Sequence, residues 1–218
     1  KIIIISGHND FQYAHTAIKL GVTEYLLKPV SMQDLHLVLG KMAIALDQEK
    51  SERAYLKRLR GQVEESLHLL REKFLLRLAT GGESALSAIE QSQQLGLNIL
   101  SLFYQVVLLE IEPLEGEQIF EYKISQQVEE LISGVIRSNP NILLAKRDLG
   151  SFMLIIKGEH GEEIEQESDF LRGLIQEEVE KKTARTLATA AGTVQRRLGD
   201  LHMSFAAALA RVKGRQED

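Results

Sequence analysis

The sequence predicts a mixed fold in three parts: a small parallel α/β piece, a long helix, and an α+β domain. Three observations carry this reading. Residues 1–30 (KIIIISGHNDFQYAHTAIKLGVTEYLLKPV) have the pattern of a strand, a helix and a strand. Residues 31–78 contain no proline, and their only glycines are Gly40 and Gly61. From residue 102 the order is strand, helix, strand, strand, helix, strand, helix.

The unbroken apolar run Ile2, Ile3, Ile4, Ile5 reads as a strand buried on both faces, as in a parallel sheet. Ser6 and Gly7 end it. Phe11, Ala14 and Ile18 stand at helical spacing, and Gly21 stops that helix. Tyr25, Leu26 and Leu27 form a second short strand that runs into Lys28 and Pro29. A strand–helix–strand unit of this length crosses over right-handed. In open parallel sheets, function gathers at the carboxyl ends of the strands. Those ends carry Ser6 and Lys28, a hydroxyl and an ammonium that together suit an anionic group.

Ser31 is the expected N-cap of the long helix, with Asp34 at its third position in capping-box style. Gly81-Gly82 is its stop. A seven-residue repeat places Leu35, Met42, Glu49, Leu56, Val63 and Leu70 at one position and Val38, Ala45, Glu52, Leu59 and Ser66 at another. That is a coiled-coil seam interrupted at Glu49 and Glu52. Leu56, Leu59, Val63 and Leu70 form a narrow stripe, which predicts a parallel homodimer stalk. The alternative is a single solvated helix packed on its own domain. Phe74, Leu75, Leu76 and Leu78 are apolar around more of the helix, so this end docks into the α+β domain.

In the last part, residues 84–95 read as a short helix ended by Gly96, with Ser87 and Glu90 spaced as a second capping box. Residues 102–111 (LFYQVVLLEI) read as a central strand. Residues 116–137 read as a helix with Phe120, Ile124, Val128 and Ile132 on one side. Asn139-Pro140-Asn141 is a turn. Residues 142–146 and 152–157 are strands joined by Asp148-Leu149-Gly150, with glycine at a positive-φ position. Residues 162–182 form an acidic helix, 185–191 a strand of small residues, and Gly199 or Asp200 caps a final helix. This is the ferredoxin-like order, expected to give an antiparallel sheet covered by helices on one face.

Composition narrows the function classes. A net charge of −5 argues against nucleic-acid binding by bulk electrostatics. The chain has no cysteine, hence no disulfide and no thiolate metal site. No apolar run approaches membrane-spanning length and no signal peptide is readable, so the expected location is cytoplasmic, with no membrane partner. None of His8, His15, His36, His68, His160 and His202 pairs at metal-ligand spacing with another histidine or with an acid of the right context, so no metal site and no catalytic constellation is expected. His8, Arg196 and Arg197, and the acids of residues 162–180, read best as solvated groups.

At Ser6, Tyr25, Lys28 and Pro29 the first stretch resembles the second half of a flavodoxin-like response-regulator receiver domain, closest to AraC-type (YesN-like) transcriptional regulators. The resemblance implies a phosphate-switch role for these four: Ser6 and Lys28 at the aspartyl phosphate, Tyr25 as the aromatic that swings inward, and Pro29 after a cis bond. The paired acids, the phosphoacceptor aspartate and the magnesium of a complete receiver are expected before Lys1, and a DNA-binding domain after Asp218. In the full-length protein the partners would be a sensor histidine kinase and DNA. No cofactor is expected in this chain, and no phosphoryl transfer to it.

The last part is similar to nucleotide cyclases of the diguanylate type, whose GGDEF hairpin falls between the second and third strands. Here that hairpin reads Arg147-Asp148-Leu149-Gly150-Ser151-Phe152. The paired glycines and the acid pair are missing, and such chemistry needs carboxylates to hold magnesium. The resemblance is therefore to a degenerate, non-catalytic GGDEF-like domain. The expected organisation is half a receiver at 1–47, a coiled-coil linker at 48–82 and the cyclase-like domain at 83–218. The expected function is signal transduction in a two-component transcriptional response regulator, with no enzymatic activity. Two alternatives stand beside it: a nucleotide-cyclase-related enzyme or cyclic-dinucleotide-binding module, and a plain dimerisation scaffold.

Overall fold

A computed structural model describes residues 1–7, 11–114 and 122–214, with the backbone alone for Phe11. His8, Asp10 and the first residues of the helix expected from 116 lie outside the described residues. The chain divides into two compact units, Lys1–Glu65 and Ser66–Asp218.

In the first unit, β1 (Ile3–Ser6) and β2 (Glu24–Leu27) pair in parallel, with Ile3 opposite Glu24 and Ser6 opposite Leu27. The crossover helix α1 (Phe11–Lys19) buries Ala17. β1 is not buried on both faces as the apolar run suggests: its Ile5 is 46% exposed, and Ile2 just before it 59%. Among the described residues its one ladder partner is β2, so a two-stranded sheet under one short helix cannot cover both sides.

The long helix α2 (Met32–Ala79) is a single element of 48 residues. Its start is the expected capping box: Asp34 N–H donates to Ser31 Oγ at 3.1 Å, and Ser31 Oγ donates to Asp34 Oδ2 at 2.6 Å. Val38 and Met42 are buried, while Leu56, Leu59, Val63 and Leu70 are exposed.

The second unit contains α3 (Ala85–Gln94), β3 (Phe103–Ile111), α4 (Tyr122–Ile136), β4 (Ile142–Lys146), β5 (Ser151–Gly158), α5 (Gly161–Thr183), β6 (Leu187–Ala191) and, after a 3₁₀ turn (Leu198–Asp200), α6 (Leu201–Gly214). The sheet order is β4-β5-β3-β6 and every pairing is antiparallel. β3 lies at the centre because its apolar side chains point both ways, the condition for a strand covered on both faces.

Helices in fact cover both faces, where the sequence predicts one. Val107, Leu109, Phe152, Leu154 and Ile156 pack under α4 and α5 through Val128, Ile132, Ile164 and Ile175. On the other face Tyr104, Val106, Leu108, Met153 and Ile155 meet Phe74, Leu75 and Leu78 of α2, Ala88 of α3, and Leu201, Ala208 and Val212 of α6. The second layer is built from α2 and α3, which precede that order, and from α6, which ends it, so the order alone does not show it. Two local readings also change. Ser84, not Ser87, is the N-cap of α3, its side chain accepting from Ser87 N–H. Gly150 is not among the positive-φ glycines, which among the described residues are Gly21, Gly81 and Gly96.

Candidate functional site

Ser6 and Lys28 stand where the first unit's strands end together. Lys28 N–H donates to the Ser6 carbonyl at 2.8 Å, extending the β1–β2 ladder by one bond. The Lys28–Pro29 peptide is cis and both residues are exposed. Tyr25 and Ser6, with Ile4, Tyr13, Ala17 and Leu20, line an open and mostly apolar cleft of about 350 Å³. The structure thus brings Ser6, Lys28 and Pro29 to one end of the sheet and places Tyr25 on the strand leading there.

The second candidate is the β4–β5 hairpin. Its turn is closed by the Ser151 carbonyl, which accepts from Arg147 N–H at 2.9 Å and from Asp148 N–H at 3.3 Å. Asp148 Oδ1 accepts from Gly150 N–H at 2.9 Å, an aspartate-stabilised turn that needs no positive φ. The Gly150 carbonyl accepts from Ile111 N–H at 2.8 Å, which ties the turn to the end of β3. Arg147 Nη1 lies 3.2 Å from Glu110 Oε1, both side chains being about four-fifths buried, and the guanidinium sits 5.5 Å from the centre of the Phe205 ring. Next to it, Lys146 Nζ lies 3.3 Å from Glu129 Oε2 and near the Tyr122 and Phe152 rings, while Lys146 N–H donates to Glu72 Oε1 at 3.0 Å.

Each carboxylate at this hairpin therefore has an internal partner: Asp148 holds its own turn and Glu110 holds a cation. Magnesium needs oxygen ligands free to face it. This donor set does not fit the metal that a cyclase hairpin would hold.

Among the described residues, one group of three possible metal ligands comes together, His68, Glu72 and Glu129, with ligand atoms within 4.8 Å of one another. The i,i+4 spacing of His68 and Glu72 was visible in the sequence; the approach of Glu129 from α4 was not. Glu72 already accepts the Lys146 amide and Glu129 already holds the Lys146 ammonium, so the group works as a clasp between α2, α4 and β4.

A further polar cleft of about 630 Å³ lies at the β6 edge, lined in part by Gln105, Arg172, Gly192 and Arg211. Sequence reading missed it. Gln105 and Gly192 are far apart along the chain, and only the β3–β6 pairing brings them together.

The model of the GGDEF-like domain family matches residues 80–211, more than half of the chain. The chain belongs to the GGDEF-like domain family. Among curated proteins, it is 37% identical over 51 residues, 23% of its own length, to the transcriptional regulatory protein HptR of Staphylococcus aureus. It spans only 20% of that relative's length. Among solved structures, the active GGEEF domain of a diguanylate cyclase from Vibrio cholerae aligns with 59% of this chain and 83% of its own, at 11% identity and a TM-score of 0.39. The GGDEF domain of DgcB from Caulobacter crescentus, in complex with c-di-GMP, aligns with 59% and 76%, at 14% identity and a TM-score of 0.37. Both scores fall below the level at which a shared fold can be inferred.

The family match corrects the functional expectation. It points to a cyclase-related module, the first alternative, and not to a signalling fragment of a two-component transcriptional response regulator. The response-regulator, AraC-family and DNA-binding descriptions fall with it, apart from the short likeness to HptR. The physical reason is one of proportion. The receiver-like residues build two strands and a helix, whereas residues 80–211 supply a complete four-stranded sheet with helices on both faces. No helix among the described residues is long and apolar enough to cross a membrane.

Proposed function

We propose that this chain is a cyclase-related module without turnover of its own, carried on a helix that pairs with a second copy. The observation that carries the reading is the hairpin. Where a cyclase would present carboxylates to magnesium, Asp148 is bonded to Gly150 and Glu110 to Arg147. Membership of the GGDEF-like family supports the cyclase relation, and the domain then acts through its surface. Leu56, Leu59, Val63 and Leu70 leave an apolar stripe on α2 that a partner helix would cover, which supports the homodimer. For the first unit, the parallel β1–α1–β2 arrangement and the junction of Ser6 with Lys28 support a receiver-like fold with an anion-binding end.

The test is incubation with GTP and magnesium, then chromatography of the nucleotides. The expected result is unchanged GTP. Formation of a cyclic dinucleotide that disappears on Asp148→Ala would overturn the proposal.

A further inference from the structure

The β3–β6 ladder does not run to its end. Gly192 N–H donates to the Val106 carbonyl at 2.8 Å, and Tyr104 pairs again with Gln195. Between these points β6 leaves the sheet. The Val106 N–H so released is taken by Ser204 Oγ of α6 at 2.9 Å, and Gln105 Nε2 donates to the Gly192 carbonyl at 2.9 Å. The departure opens the cleft between α5, β6 and α6, at the edge of the sheet opposite β4.

Two polar atoms at this cleft have no hydrogen-bond partner among the described residues. Gln105 is 4% exposed and its Oε1 accepts no hydrogen bond; the buried Nε of Arg172 donates none. Buried polar groups are nearly always satisfied, so a missing acceptor and a missing donor at one cleft are a signal. Around them stand two cations, Arg172 and Arg211, and two carboxylates, Glu165 and Asp169, with Arg172 paired to Asp169 and Arg211 donating to the Ala191 carbonyl. Among the described residues the charges balance. A bare anion would meet carboxylates as well as guanidiniums, and among the described residues no aromatic ring lines the cleft on which a nucleobase could stack.

We propose that this cleft binds a small zwitterion, an α-amino acid, with its carboxylate on Arg172 and Arg211 and its ammonium toward Gln105 Oε1 and Glu165. The ligand supplies both missing partners and matches the alternation of charge. This goes beyond the cyclase relation and is independent of the hairpin.

The experiment is amide NMR of the full chain titrated singly with each common L-amino acid, with acetate, methylammonium and inorganic phosphate as further probes. The expected result is saturable shifts at Gly192 and Thr193 with at least one amino acid and none with the separate ions. Arg211→Gln, at an exposed position, is expected to weaken that binding about tenfold or more, the loss of one charge-assisted hydrogen bond. Saturable shifts with phosphate or acetate alone, shifts that Arg211→Gln leaves unchanged, or no shifts with any amino acid would each overturn the proposal.

Discussion

Gly192 is the point at which one added methyl group tests the packing of β6 on α6. A Cβ built there lies 2.0 Å from the Ser204 carbonyl oxygen and 2.5 Å from Ser204 Oγ. The first atom is backbone, so no rotamer change relieves the clash and β6 must part from α6. Parting strains the Gly192 N–H bond to Val106 O and the Val106 N–H bond to Ser204 Oγ, both inside a fully buried core. Overpacking alone costs about 1–3 kcal/mol, and an orphaned buried amide about 1–3 kcal/mol more. Gly192→Ala is therefore expected to destabilise by about 2–6 kcal/mol, read from urea unfolding monitored by circular dichroism. Ser204→Ala removes only the hydroxyl and is expected to cost about 1–3 kcal/mol. Gly173 is exposed in mid-α5, with nothing within 4 Å of its built Cβ, so Gly173→Ala should stabilise by up to about 1 kcal/mol. A Gly192→Ala protein within about 0.5 kcal/mol of the parent, the range of neutral surface changes, would refute the reasoning.

Other outcomes rest on single contacts. Ser84→Ala removes the N-cap of α3 and is expected to lower stability by about 1 kcal/mol; no change in the unfolding midpoint would count against the cap. Burial holds the Lys157 ammonium below its ordinary 10.5, with Glu159 pulling the other way. Between that lowered value and 10.5 the unfolded chain binds more protons, so this group makes stability rise with pH there, and Lys157→Met should flatten the rise in alkaline melts. Burial raises the Tyr104 phenol above 10.0, against a hydrogen bond with Ser101. Above pH 10 the folded chain then keeps a proton the unfolded chain loses, so stability falls, and Tyr104→Phe should remove that fall. Changing Leu56, Leu59 and Val63 together to glutamate should weaken self-association by at least about a hundredfold in sedimentation equilibrium, because each buried apolar side chain contributes about 1.5–3 kcal/mol.

Local signals in the sequence translated well into elements. The run LFYQVVLLEI reads as a central strand, and β3 is one; β4 occupies residues 142–146 as its pattern predicts. Ser31 with Asp34 makes the expected box because both partners lie within one turn. What escaped was non-local. The second helical layer needs α2, which precedes the ferredoxin-like order, and α6, which ends it, to close over β3. At the hairpin, glycine suggests a positive φ, yet the Asp148 carboxylate stabilises the turn instead. The apolar Ile2–Ile5 run reads as fully buried, but burial depends on strands beside it and the pattern records only the strand itself. The β6 cleft was unreadable for the same reason: Gln105, Arg172 and Arg211 belong to three elements that only the fold assembles.

The central claim is that the hairpin carboxylates are committed within the protein and hold no metal. Titration with Mn²⁺ in the presence of GTP, read as line broadening of the assigned amides, tests it most directly. Amides of residues 110–112 and 147–151 should broaden no more than other exposed amides. Selective broadening there at low Mn²⁺, abolished by Asp148→Ala, would contradict the claim.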